Sequence, residues 1–452
     1  MTTSRRSFLQ SGALLLAATG SLGSVIAAAS PAHARGRRRP PVFAGFGELV
    51  PDPAQLLDLP PGFQYRVLSR EGEELTRGGR VPSSHDGMAA FSAGPRGTWL
   101  VRNHELNPDD VVEEGLIALP AAGEHAYDPE AAGGTTTLLV DGERRLVKHE
   151  ISLAGTLDNC GGGPTPWRTW LSCEETDAVL ARPHGYVFEV DPRRGGNPEP
   201  ITSMGRFEHE AVAFDRRGRA YLTEDASEPF GCVYRFLPER PLGGRGSLHA
   251  GGSLEALQVE GIRVDLSVVQ QPGTRLRARW LPVPSPNPAA GQTPVREQAL
   301  ALGATPIMKA EGIWLGNDGS IWLVSSYAGG PLAEDPEDVT AGAHAGQIWR
   351  YDPRAEQLEL VTIFAPGSPF DGPDNITAGP HGFAVACTDG EQDNWLLAIS
   401  DDGSAFPLAR NALNDSELAG ATFSADGQTL FANLQSPGAT LAIWGPWGAA
   451  RP

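Results

Sequence analysis

The chain has 452 residues, among them 55 glycines, 39 prolines and four cysteines, and a formal net charge of −19. So acidic a protein is repelled by a phosphate backbone, so no nucleic acid partner is expected. Four cysteines are too few for a disulfide scaffold at this length, and glycine plus proline at about a fifth of the chain argue for short strands and turns over long helices.

The first segment, MTTSRRSFLQSGALLLAATGSLGSVIAAASPAHA, carries Arg5 and Arg6 ahead of Phe8 and Leu9, then an apolar stretch, then small residues around Ala32, His33 and Ala34. These mark a twin-arginine export signal over residues 1–34, cleaved near Ala34, and a mature protein that is periplasmic or extracellular. The apolar stretch is short and interrupted by Thr, Gly and Ser, so no stable membrane association is expected after cleavage. Removing the signal takes away two arginines and no acid and moves the formal charge from −19 to −21. Residues 35–45, with a basic run from Arg35 to Pro40, read as a linker, and 46–452 as one domain.

From there short apolar runs end in Asp-Gly or Asn-Asp-Gly turns, the pattern of β-hairpins. Two patterns recur in tandem. A polar residue followed by small and apolar ones opens each unit: HDGMAAF at 85–91, DNCGGG at 158–163, HEAVAFD at 209–215, AEGIWLG at 310–316, PHGFAVA at 380–386 and LAGATFS at 418–424. Shortly afterwards comes a large apolar residue before a second run: Trp99, Trp170, Tyr221, Trp322, Trp395 and Phe431. Six such units predict an all-β chain folded as a six-bladed β-propeller with loop insertions. A β-sandwich with chance Trp-Leu repeats accounts for them less well. The largest insertion, between Arg235 and Thr305, contains WLPVPSPNPAAGQTPV and is expected to be a loop or a lid. A closed ring leaves few open sheet edges, so a monomer is expected.

In a propeller the first strand of each blade runs beside the axis, so one repeat position faces it from every blade. That position reads Asp86, Cys160, Glu210, Glu311, His381 and the small pair Ala419 and Gly420. Five of the six are metal-ligand types, where a core position would be apolar. The ends of the following strands add Asn103, Glu105, Glu174, Glu175, Glu224, Asp225 and Asn433. Converging carboxylates repel unless cations sit among them. Oxygen donors in this number suit Ca2+, whereas a Cys160 thiolate calls for a transition metal such as iron or zinc. Cys173, Cys232 and Cys387 read as packed apolar side chains.

The stretches DNCGGGPTPWRTWLSCEET, GRFEHEAVAFD, YLTEDAS, KAEGIWLG and the closing GATFSADGQTLFANLQSPGATLAIWGPW resemble the PhoX-type alkaline phosphatases over most of the mature chain. The resemblance implies a six-bladed propeller whose channel holds a cluster of Fe3+ and Ca2+ and which acts on small phosphate monoesters. It puts Cys160, Glu210 and Glu311 at metal-ligand positions and Glu174 or Glu175 at a calcium position. Asp86, Asn103, Glu105, Asp225 and His381 rest on the repeat alignment alone. Lys309 is one of two lysines beside 34 arginines and stands two residues before Glu311, where the family's pattern has a phosphate-contacting arginine. Lysine keeps that charge and loses the bidentate fork, and a phosphate contact is still expected of it.

Catalysis is assigned to Lys309, Glu311 and Glu210. The sequence has no G-x-S-x-G, no H-E-x-x-H and no P-loop, so the reading turns on a metal centre and needs no serine nucleophile. A calcium-dependent propeller hydrolase of lactones or organophosphates shares the carboxylates but leaves Cys160 unexplained. A non-catalytic binding propeller predicts that Glu210 and Glu311 are dispensable.

Overall fold

A computed structural model describes residues 45–121, 123, 125–226, 230–289, 291–328, 343–390 and 393–448. The export signal and all of the linker except residue 45 lie outside the described residues. Among the described residues, apart from the short helices Pro108–Glu114 and Val295–Leu302 and a few 3-10 turns, the regular structure is β-strand.

The strands form antiparallel sheets in a propeller-like arrangement. The first sheet runs, from its innermost strand outward, His85–Ser92, Thr98–His104, Gly133–Val140 and Leu146–Thr156. The second runs Gly162–Pro164, Trp170–Cys173, Val187–Asp191 and Gly195–Gly196. A nine-stranded sheet has His209–Phe214 and Ala220–Glu224 at one end and Ala310–Leu315 and Ile321–Ser325 at the other. Next comes Pro373–Ala378, Phe383–Thr388, Trp395–Ser400 and Ala405–Asn411, edged by Leu57–Asp58. The last sheet runs Leu418–Phe423, Leu430–Leu434 and Ala439–Trp444, and its outermost strand is Gln64–Arg70 from the start of the domain. Gln64 pairs with Trp444 there. Each innermost strand packs on the next around an axis, and Leu418–Phe423 packs back on His85–Ser92.

The hairpin turns follow from their acids. Asp318 Oδ1 accepts the Ser320 amide at 2.9 Å, and Asp426 Oδ1 accepts the Gln428 amide at 3.0 Å. A short acidic side chain so closes the turn over a glycine in the left-handed region, Gly319 or Gly427. The core is divided into wedges between neighbouring sheets. The recurrent large residues fill them: Trp99 and Trp170 share one wedge, and Phe431 packs with Met88 and Leu100 in another. All four cysteines are buried and free, with Cys173, Cys232 and Cys387 inside apolar clusters.

Two expectations are corrected here. The insertion between Arg235 and Thr305, expected as a loop or a lid, carries regular structure: it supplies strands Gly252–Val259 and Arg275–Pro282 and the helix Val295–Leu302. Arg275–Pro282 pairs with Gly252–Val259 on one side and with Gln357–Phe364 on the other, which makes the nine-stranded sheet continuous. The fifth unit begins one strand earlier than its repeat pattern predicts. Phe383–Thr388 is a second strand and Trp395 opens a third, so the innermost strand is Pro373–Ala378.

Candidate metal centre

Five innermost strands share an irregularity. Register slips between His85 and Met88, His209 and Val212, Ala310 and Ile313, Pro373 and Ile376, and Ala419 and Thr422. A bulge turns a side chain away from the sheet face without ending the strand. The residues in these bulges include Asp86, Glu210, Glu311 and Asp374, so four carboxylates are presented at the same level of the ring.

A small residue comes next in five of the inner segments: Gly87 after Asp86, Gly161 after Cys160, Ala211 after Glu210, Gly312 after Glu311 and Gly420 after Ala419. A Cβ on Gly87 would stand 2.5 Å from the Cys160 carbonyl oxygen, and one on Gly312 would stand 2.6 Å from that of Asp374. Neighbouring strands therefore approach more closely than any side chain allows, and the Gly87 amide donates to the Cys160 carbonyl at 3.0 Å. Two asparagines fix this spacing. Asn103 Nδ2 donates to the carbonyls of Cys160 and Gly161 at 2.8 and 2.6 Å, and Asn433 Nδ2 donates to that of Asp86 at 2.5 Å.

Among the described residues the ligand-type side chains converge in four overlapping groups: Cys160, Glu175 and Glu210; Glu210, Glu311 and Asp374; Asp374, Asp389 and Glu417; and Glu417, Asp86 and Glu105. Within each group one donor atom per residue lies within 4.8 Å of the others. Because Glu210, Asp374 and Glu417 each belong to two groups, the eight carboxylates and one thiol form a continuous chain around the axis. Two unit charges 4.8 Å apart repel by about 3.5 kcal/mol at an effective dielectric of 20, so the set is stable only with protons or cations among its members. Burial, then the charges of Glu210, Glu175, Asp86 and Glu105, push the Cys160 thiol well above its ordinary range. Burial, then Asp389, Asp86, Asp374 and Glu105, push the Glu417 carboxyl well up. The thiol lies 2.7 Å from Glu210 Oε2.

Of the residues expected from sequence, Cys160, Glu175, Glu210, Glu311, Asp86 and Glu105 come together here. Glu174 does not. Its Oε1 accepts from Leu157 N and from His184 Nδ1 at 2.7 Å, and its Oε2 accepts from the amides of Gly185 and Tyr186, so it ties down the loop beyond the strand. Asn103 spends Oδ1 on Trp170 Nε1 and Ser172 Oγ, both at 2.9 Å, and is a strand clamp. His381 sits in the turn at the opposite end of its hairpin, stacked on Trp447 with Nε2 against the Gly427 carbonyl at 2.8 Å. Asp374 occupies the position read as His381.

Asp225 follows its strand Ala220–Glu224 and pairs with Lys309 Nζ at 2.6 Å. Lys309 Nζ also lies 3.0 Å from Glu311 Oε1, which accepts a further hydrogen bond from Ser326 Oγ at 3.0 Å. Glu224 is held by Arg296 Nε at 3.0 Å and Tyr234 OH at 2.7 Å. Arg296 comes from the helix of the insertion and also pairs with Glu208, whose carboxyl burial pushes up to about 7. Sequence reasoning missed Asp374, Asp389 and Glu417. For Asp374 the signal was present: a ligand-type residue, a small or polar one and an apolar one recur as Asp86-Gly87-Met88, Glu210-Ala211-Val212, Glu311-Gly312-Ile313 and Asp374-Asn375-Ile376.

A propeller-like ring of sheets that ends in converging carboxylates and a thiol defines the class of metal-dependent β-propeller enzymes. The family described as "Alkaline phosphatase PhoX" matches residues 44–438, and the chain belongs to it. It is a phosphoric monoester hydrolase of a metal-dependent family. Among solved structures it is similar to Pseudomonas fluorescens PhoX in complex with vanadate, a transition state analogue, with 17% identity over 91% of this chain and 99% of that one and a TM-score of 0.69. Looser similarities include the gluconolactonase XC5397 of Xanthomonas campestris, with 12% identity, 90% and 99% coverage and a TM-score of 0.43. Regucalcin of Agrobacterium tumefaciens, a calcium-binding protein, has 9% identity, 84% and 95% coverage and a TM-score of 0.41. No curated protein matches the chain.

Proposed function

We propose that this phosphatase works at a mixed iron and calcium centre held by the four ligand groups. The observation that carries the reading is their chemistry. The one group with a thiol, Cys160 with Glu175 and Glu210, suits Fe3+, and the three all-oxygen groups suit Ca2+. When bound, such metals supply Lewis acidity toward phosphoryl oxygens.

The chain's own residues do the rest. The bulges hold Glu210, Glu311 and Asp374 at one level and fix where a phosphate can sit. Lys309 brings a positive charge beside Glu311 to meet the dianionic ester, as a point charge without arginine's fork. The narrow axis below, lined by Gly87, Gly161, Gly312, Trp170 and Trp314, closes that end of the site to substrate. That the similar Pseudomonas fluorescens PhoX is in complex with vanadate, a transition state analogue, supports reading this centre as a phosphoryl-transfer site.

The nine-stranded sheet is two blades joined at their outer edges, giving six in all, and the protein is a monomer exported by the twin-arginine route. The first test is hydrolysis of p-nitrophenyl phosphate by the mature protein with and without a chelator, alongside metal analysis. Activity is expected to disappear with chelator and with Glu210→Ala or Glu311→Ala. Protein that is active and carries calcium but no iron would overturn the mixed centre.

A further inference from the structure

We propose that Lys309 stands in for a metal cation at Asp225, so that this centre holds one cation fewer than its carboxylates would otherwise bind. The inference rests on the reading of the ring as a metal centre. Residues just past the second strands enter the ligand groups from three sheets, as Glu105, Glu175 and Asp389. Asp225 follows the second strand Ala220–Glu224 in the same way, is buried, and belongs to none of the four groups. What it has instead is an ammonium at 2.6 Å.

The lysine is held there by its backbone. Lys309 has φ +48°, a left-handed conformation that a long side chain adopts only when the surrounding structure imposes it. Its amide donates to the Ala226 carbonyl at 3.2 Å, and its own carbonyl accepts from Ser326 N at 3.0 Å. Those bonds pin the residue beside the Asp225 segment on one side and beyond the strand Ile321–Ser325 on the other. The side chain then reaches both Asp225 Oδ2 and, at 3.0 Å, Glu311 Oε1. A divalent ion coordinated by Asp225 would sit about 2.4 Å from its oxygen, a few ångströms from the ammonium, and the two cannot share the carboxylate. In a chain where all but two basic residues are arginine, a compact ammonium occupies the one place where a small point charge replaces an ion.

The test counts bound metal on mature protein purified with Ca2+ and iron, desalted and measured by inductively coupled plasma mass spectrometry. Lys309→Met is expected to carry about one more Ca2+ per chain than wild type, and Lys309→Met with Asp225→Asn to return to the wild-type count. Lys309→Arg, which keeps the charge, is expected to match wild type. A Lys309→Met count no higher than wild type overturns the proposal. Asp225→Asn in the wild-type background gives a second reading should Lys309→Met fail to fold: its count is expected to be unchanged, and the loss of an ion would show that Asp225 is itself a ligand. Wild type that binds no metal at all would instead sink the metal-centre reading.

Discussion

Replacing Gly161 with alanine tests whether the glycines of the inner strands are there for the ligands. Gly161 does not occupy the left-handed region, so the cost of a methyl group is steric. The added Cβ would lie 2.5 Å from the Glu210 carbonyl oxygen and 2.8 Å from Glu210 Oε1. Overpacking of this kind costs about 1–3 kcal/mol, and here the displaced group is the carboxylate shared by the Cys160 and Asp374 groups. In chelator Gly161→Ala is therefore expected to lose about 1–3 kcal/mol of unfolding free energy. With free Ca2+ at about a hundred times its dissociation constant, wild type gains about 2.7 kcal/mol per site, a gain the variant forgoes wherever Glu210 is a ligand. The gap should widen by up to that amount.

Gly163 is the control. A Cβ there would meet the Val212 carbonyl oxygen at 1.6 Å, a worse clash that touches no ligand. Gly163→Ala should be destabilised at least as much, with the same gap in chelator and in Ca2+. Urea unfolding followed by tryptophan fluorescence, in both buffers, measures all four differences. A gap for Gly161→Ala that is indifferent to Ca2+ would refute the reasoning.

Glu174→Gln, which turns an amide against two backbone N–H groups, is expected to cost about 1–3 kcal/mol and to leave the metal count unchanged, whereas Glu175→Gln should lower bound metal without destabilising the chelated protein. Asp374→Asn should lose both metal and p-nitrophenyl phosphate hydrolysis; His381→Ala should retain both and lose only about 1 kcal/mol of stacking on Trp447. Burial pulls the pKa of His184 down, but the hydrogen bond and charge of Glu174, with Asp128, more than offset it and leave it above 6.5. The stability this contact adds is full below pH 6.5 and is lost as pH rises through the raised folded value. Urea unfolding of the chelated protein across that range should show the decline, and Asp128→Asn should flatten it.

The sequence discloses most of the ring because the ring is a repeat. Trp99, Trp170, Tyr221, Trp322 and Phe431 recur since each fills the wedge beside its second strand, and Asp86, Cys160, Glu210 and Glu311 recur since each sits where an inner strand approaches its neighbour. The fifth unit breaks the pattern because Trp395 imitates that wedge residue from a third strand. One strand of error moved the ligand position from Asp374 to His381 and hid Asp389, which follows Thr388 as Glu105 follows His104. Glu417 had no repeat signal at all, since it enters from the loop ahead of its strand. Glu174 and Glu175 are adjacent and chemically alike, and only the hydrogen bonds of Glu174 to His184 and three amides tell them apart. Lys309 was legible as an anomaly of composition, while its partner Asp225 depends on a backbone conformation that no pattern of residue types announces.

The last sheet borrows its outer strand, Gln64–Arg70, from the start of the domain, and this sets an order on folding. Gln64 must find Trp444 about 380 positions later, and closing so long a loop costs about 5 kcal/mol of chain entropy before any pairing repays it. A growing chain cannot make that repayment early: while Ala439–Trp444 remains unsynthesised, one of the first strands to leave the ribosome has no neighbour to bond. The seam can thus close only once Ala439–Trp444 has been made, and the carboxylates around the axis, drawn from several sheets, reach their common spacing only when it shuts.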